Sequence, residues 1–83
     1  MILTTKTFEE KFSKLNSSSK NDFDNFCKFL ESAAEDEIFN ALSGGESLNS
    51  LMTFDFQGVK IHYSLSRNKQ NQLDINFFDI SSP

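Results

Sequence analysis

Cys27 is the only cysteine of this chain, which excludes an internal disulfide, and no Cys/His cluster has the spacing of metal ligands. His62 is likewise the only histidine, so acid–base or metal chemistry near neutral pH has one side chain to rest on. Long apolar runs are missing too. No stretch approaches the roughly 18 residues of a membrane span, and Met1-Ile2-Leu3-Thr4-Thr5 lacks the sustained apolar run of a secretory signal. The expectation is a soluble protein in a reducing, cytoplasmic setting, with no membrane partner. Gly44-Gly45 has neither the lysine nor the following hydroxyl residue of a phosphate-binding loop, which leaves a helix stop and turn as its role. No cofactor fingerprint is present.

Positive charge is in short supply as well. Eight Lys+Arg against twelve Asp+Glu give a net charge of −4, and the basic residues are spread out apart from Lys6, Lys11 and Lys14. A surface of that sign repels phosphate, so direct nucleic-acid binding is not expected. The partner that this charge suits is a protein with a basic surface.

The chain does have the means to make one core. Its 83 residues fit a single domain, 1–83, and are too few for two. A domain of this size buries only about 60% of its unfolded surface, so a few large side chains must carry stability. Ten phenylalanines are available for that.

After a short apolar start at Ile2-Leu3, Thr7-Phe8-Glu9-Glu10 has the capping-box pattern, and Phe8, Phe12 and Leu15 share one helical stripe. This predicts a first helix ending near Asn16. Ser17-Ser18-Ser19 reads as a polar joint, and Ser19-Lys20-Asn21-Asp22 repeats the capping logic. The second helix carries Phe23, Phe26, Cys27, Leu30 and Ala34 inward. Continued at 100° per residue, the same wheel would point Glu37 inward and Phe39 away from the core, so a kink or break is expected around Asp36.

From Leu48 the period changes to two. Met52, Phe54 and Phe56 alternate with polar residues, Gln57-Gly58 makes a tight turn, and Val59, Ile61, Tyr63 and Leu65 resume the alternation. After the polar turn 67–71, Leu73, Ile75 and Phe77 begin a third strand. The fold class expected is α+β: two N-terminal helices packed on one face of a three- to four-stranded antiparallel sheet, with Ile2-Leu3 as the optional edge strand.

Two groups of residues are candidates for function. Asp24, Glu31 and Glu35 share a helical flank with Lys28, and Asp36 and Glu37 add charge beside them. A solvated face with local Asp24–Lys28 and Lys28–Glu31 pairs is the ordinary reading. Phe39, set beside Glu35 and off the core stripe, adds the alternative of an aromatic anchor ringed by carboxylates that holds a basic partner. The second group lies around His62, which shares a strand face with Lys60 and Ser64. No carboxylate is placed by the sequence to orient that imidazole, so an exposed polar-face histidine is the simpler reading. Cys27, between Phe26 and Leu30, reads as a small core hydrophobe.

The strand Gly58-Val59-Lys60-Ile61-His62-Tyr63 is similar to the Gly-aromatic-Arg-aliphatic-x-Tyr strand of the RelE/ParE toxin superfamily, small bacterial proteins of toxin–antitoxin systems. Phe8-Glu9-Glu10-Lys11-Phe12-Ser13-Lys14-Leu15 resembles that family's first helix, and the order of parts resembles its short strand, two antiparallel helices and curved antiparallel sheet. The resemblance implies a growth-arresting toxin, acting either as an endoribonuclease on ribosome-bound mRNA or as a topoisomerase inhibitor. In the ribonuclease reading the active residues would be Lys60, His62, Tyr63 and Arg67. The departures are specific: only Lys60 falls where that pattern places a cation, Leu51, Thr53 and Asp55 replace lysines on the preceding strand, and the end reads Ser81-Ser82-Pro83. One lysine with one histidine gives little charge stabilisation for phosphodiester cleavage. The sequence therefore points first to a non-enzymatic acidic module that inhibits a basic or nucleic-acid-binding target, in the manner of an immunity, antitoxin-like or phage anti-defence protein.

Overall fold

The switch of hydrophobic period near residue 50 divides the molecule into a helical layer and a sheet. A computed structural model describes residues 1–42 and 47–82; the stop expected at Gly44-Gly45 and the terminal Pro83 lie outside the described residues. The elements are β1 (Ile2–Thr4), α1 (Lys6–Phe12), α2 (Ser17–Ser32), α3 (Glu35–Leu42), β2 (Met52–Phe56), β3 (Val59–Arg67) and β4 (Leu73–Ser81). The class is α+β as expected, with three helices among the described residues where the sequence predicts two.

Each helix start is displaced from the sequence expectation, and each displacement has a local cause. Thr5, not Thr7, caps α1: its Oγ1 accepts from the Phe8 amide at 3.1 Å. Thr5 is held extended at the end of β1, where its amide donates to the Phe77 carbonyl, so the chain can turn into a helix at once. Asn16 caps α2 in the same way, its Oδ1 accepting from the Ser19 amide at 2.8 Å, so Ser17–Ser19 form the first helical turn and not a joint. The expected break falls at Ala33, which is extended at φ −82° and ψ 154°. Glu37 then accepts from the Ala34 amide at 3.2 Å and restarts the chain as α3. The new axis turns Ile38 and Leu42 into the core and leaves Glu37 exposed, which resolves the conflict in the helical wheel.

The sheet order is β1-β4-β3-β2. β2, β3 and β4 form the antiparallel meander, but β1 runs parallel to β4, with Ile2 opposite Ile75 and Thr4 opposite Phe77. The sheet is thus mixed, not wholly antiparallel. The β2–β3 turn has Gln57 at φ 48° and Gly58 at φ 85°, the two positive angles of a tight hairpin whose twist matches its strands. On β4 the register slips opposite His62/Tyr63, making Phe78 the extra residue of a bulge. The inward series therefore passes from Leu73, Ile75 and Phe77 to Ile80.

Phe8, Phe23, Leu30, Ile38 and Leu42 pack from the helices against Ile61, Tyr63, Leu65, Leu73, Ile75, Phe77 and Ile80 from the sheet. Phe23 sits centrally, its ring edge-on to Phe56 at 5.2 Å and Phe77 at 5.3 Å. Burying a side chain of this size contributes about 1.5–3 kcal/mol, so Phe8, Phe23 and Phe77 share the core's stabilisation with the buried leucines and isoleucines. Among the described residues, no helix is long and apolar enough to cross a membrane.

Candidate acidic groove

The break at Ala33 leaves an elbow between α2 and α3, and this elbow stands over the edge formed by β1 and β4. Between them lies a groove of about 470 Å³. Buried Leu30, Ile38, Leu73 and Ile75 back its floor, but the surface it presents is mixed polar and apolar, with Glu31 and Glu35 lining it as exposed residues. Glu31 and Glu35, two of the acidic candidates, are therefore brought together in a recess that the sequence does not reveal.

The other members of that group divide by role. Asp24 and Asp36 are exposed, and neither they nor Glu31 has an ion-pair or hydrogen-bond side-chain partner among the described residues. The expected Asp24–Lys28 and Lys28–Glu31 pairs do not form there. Glu35, Asp36 and Glu37 occupy the first turn of α3, where carboxylates complement the positive end of the helix dipole. Glu35 is also held by Arg67, which keeps its carboxyl below the ordinary glutamate value. Phe39 is half-buried against the core, so the new helix axis has turned the ring inward.

The alternative group does not converge on one point. Tyr63 is wholly buried, with its hydroxyl donating to the Leu42 carbonyl at 3.0 Å, and burial raises its pKa. Strand alternation puts Lys60 and His62 on the opposite, outer face, and Arg67 lies at the far end of β3, bound to Glu35. What the structure places beside His62 is Ser81: its Oγ is 2.7 Å from Nε2. The cross-strand neighbour of His62 is Asp79. The Asp79 carboxyl is held below its ordinary value by Lys11 at 2.7 Å and the Ile80 amide at 2.8 Å. Ser81 and Asp79 are not legible beside His62 in the sequence, because the bulge at Phe78 shifts the register that brings them there, and Lys11 reaches Asp79 from α1.

Cys27 is half-buried on α2 against the core, as its stripe predicts. Burial, with smaller contributions from Asp24 and Glu31, pushes its thiol up to about 12. No protein-family model, curated protein or solved structure matches this chain.

Proposed function

We propose that this chain is a non-enzymatic, acidic protein-binding module that inhibits its target by covering a basic, nucleic-acid-binding surface, as an immunity, antitoxin-like or phage anti-defence protein does. The observation that carries this reading is the groove at the α2–α3 elbow with exposed Glu31 and Glu35 in its lining. Such a recess suits a lysine or arginine whose aliphatic stem lies along half-buried Ile2 and Ala33 while its charged head reaches Glu31. The net charge of −4 adds long-range attraction to a basic partner.

The test is affinity capture with the tagged protein, followed by binding kinetics of the purified pair at low and high salt. Exposed charges act mainly on encounter, so added salt should slow association more than it speeds dissociation. Glu31→Lys should weaken binding without lowering thermal stability, since Glu31 makes no bond that the fold depends on. Affinity indifferent to salt and to Glu31→Lys would sink the proposal.

A second reading, a divergent toxin acting on RNA, draws on the outer sheet face, where Lys60 and His62 lie two residues apart and Ser81 meets the imidazole. Growth arrest on expression, abolished by His62→Ala with folding intact, would favour it over the inhibitor.

A further inference from the structure

The two edges of the sheet are protected very differently. β1 is only three residues long, and short edge strands resist further pairing. β2 has five residues and, among the described residues, is bonded to β3 alone, with an unbroken register and no proline, lysine or bulge. The hairpin turn fixes which groups it leaves open. A two-residue turn makes Phe56 and Val59 a hydrogen-bonded pair, so Phe54 and Met52 also point their amides and carbonyls at β3. Thr53 and Asp55 therefore direct theirs outward.

The side chains at this edge are under-covered as well. Ile61, Tyr63 and Leu65 of β3 are 0–1% exposed, whereas Met52, Phe54 and Phe56 on the same face are only half-buried. Phe26 stacks on Phe29 at 6.5 Å and touches Phe54 and Phe56, yet Phe29 is 44% exposed. An open row of hydrogen-bonding groups thus runs beside an aromatic rim.

We propose that this edge pairs with a second copy of the same chain, β2 against β2 about a two-fold axis at Phe54, giving a continuous eight-stranded sheet. The alternation of β2 is symmetric about Phe54 in that register, apolar, polar, apolar, polar, apolar, and it sets the two different polar residues, Thr53 and Asp55, opposite one another. Thr53 of each copy faces Asp55 of the other, as hydrogen-bonded backbone pairs with a hydroxyl opposite a carboxylate. Phe54 meets its own copy in the close, non-hydrogen-bonded position, and Met52 meets Phe56. A partner with a different sequence would have to supply that complementarity; a second copy already has it. The edge lies on the opposite side of the sheet from the elbow groove, so the pairing does not depend on the function proposed above.

Sedimentation equilibrium of the full chain from about 10 µM to about 1 mM covers the range of a small, reversible interface. A monomer–dimer equilibrium is expected. Thr53→Asp sets carboxylate against carboxylate twice and should weaken the dimer, while Thr53→Lys creates two ion pairs and should tighten it roughly two- to thirtyfold. Amide exchange at Thr53 and Asp55 should slow as concentration rises, whereas the Phe54 amide should be slow throughout. Circular dichroism melts establish that both variants fold, and should either fail to fold, the amide exchange of the unmodified chain decides. A chain monomeric across the range overturns the proposal and leaves the edge to a strand from another protein. Species that grow beyond the dimer, or a dimer that responds alike to both variants, overturn it too.

Discussion

Arg67 at the end of β3 and Glu35 at the start of α3 form a two-point bridge, Nη1 to Oε2 at 2.7 Å and Nη2 to Oε1 at 2.8 Å. The fork geometry of guanidinium on carboxylate fixes orientation as well as distance. It fastens the helix that follows the break to the sheet, beside the groove. Sequence reading put Arg67 in one candidate group and Glu35 in the other, and the fold joins them.

That bridge predicts a pH-dependent effect of Arg67→Ala. Both side chains are partly exposed, at 32% and 46%, so the pair is screened and the loss of stability should be small. Glu35 has a folded carboxyl below its ordinary 4.5. Its contribution is therefore present above 4.5 and lost as pH falls through the lower folded value. Urea midpoints of Arg67→Ala and wild type should differ at pH 7 and converge in acid. Arg67→Lys should recover only part of the difference, because a single ammonium cannot make both bonds.

Cys27 should be nearly inert in the native state. With its thiol pushed up to about 12 and half-buried on α2, very little thiolate is available near neutral pH. Labelling by a thiol reagent at pH 8 should be at least about 100-fold slower than in denaturant. The raised value also makes the native state favour the protonated thiol, so this contribution is complete below the ordinary 9.0 and is lost as pH rises toward 12. Cys27→Ala should flatten that alkaline decline, and denaturation curves between pH 8 and 11 measure it directly.

Tyr63→Phe should cost about 1–2 kcal/mol, since it strips the Leu42 carbonyl of a buried donor at the end of α3. Urea denaturation gives the number. Binding by the folded variant should match wild type, because the hydroxyl faces the interior. A normal stability with lost function would reverse that assignment.

Helix capping offers a comparison within pairs of similar residues. Thr5→Ala and Asn16→Ala should each lower stability by about 1 kcal/mol, while Thr7→Ala and Ser19→Ala should fall well short of that. Thr5 has a further bond to lose, from its hydroxyl to the Phe78 carbonyl at 2.8 Å. Equal effects at Thr5 and Thr7 would mean that α1 begins where the capping-box pattern put it.

Much of the architecture is set by local pattern. The stripe Phe23, Phe26, Cys27, Leu30 commits its segment to a helix because only a 3.6-residue period places all four on one side. The alternations 52–56, 59–65 and 73–77 commit theirs to strands for the matching reason. Gln57-Gly58 sets a tight hairpin, because both of its residues take positive φ angles that suit glycine and few others. The conflict between Glu37 and Phe39 on a straight wheel announced a break near Asp36, although it occurs at Ala33.

Other features depend on partners distant in the chain. Thr5 won the cap over Thr7 because β4 holds it extended, and the direction of β1 follows from its neighbour, since a three-residue strand has no pattern that encodes parallel or antiparallel. The bulge at Phe78 decides that Ser81 reaches His62, a one-residue slip that local alternation cannot foresee. By itself the sequence determined which stretches are helical and which are strands from residue 52 on, because side-chain chemistry repeats there at a fixed spacing, and it determined the acidic balance by composition. Only the tertiary structure decided that Glu35 binds Arg67, that Glu31 borders a groove and that β2 has no second strand partner among the described residues, because those depend on which segments meet in space.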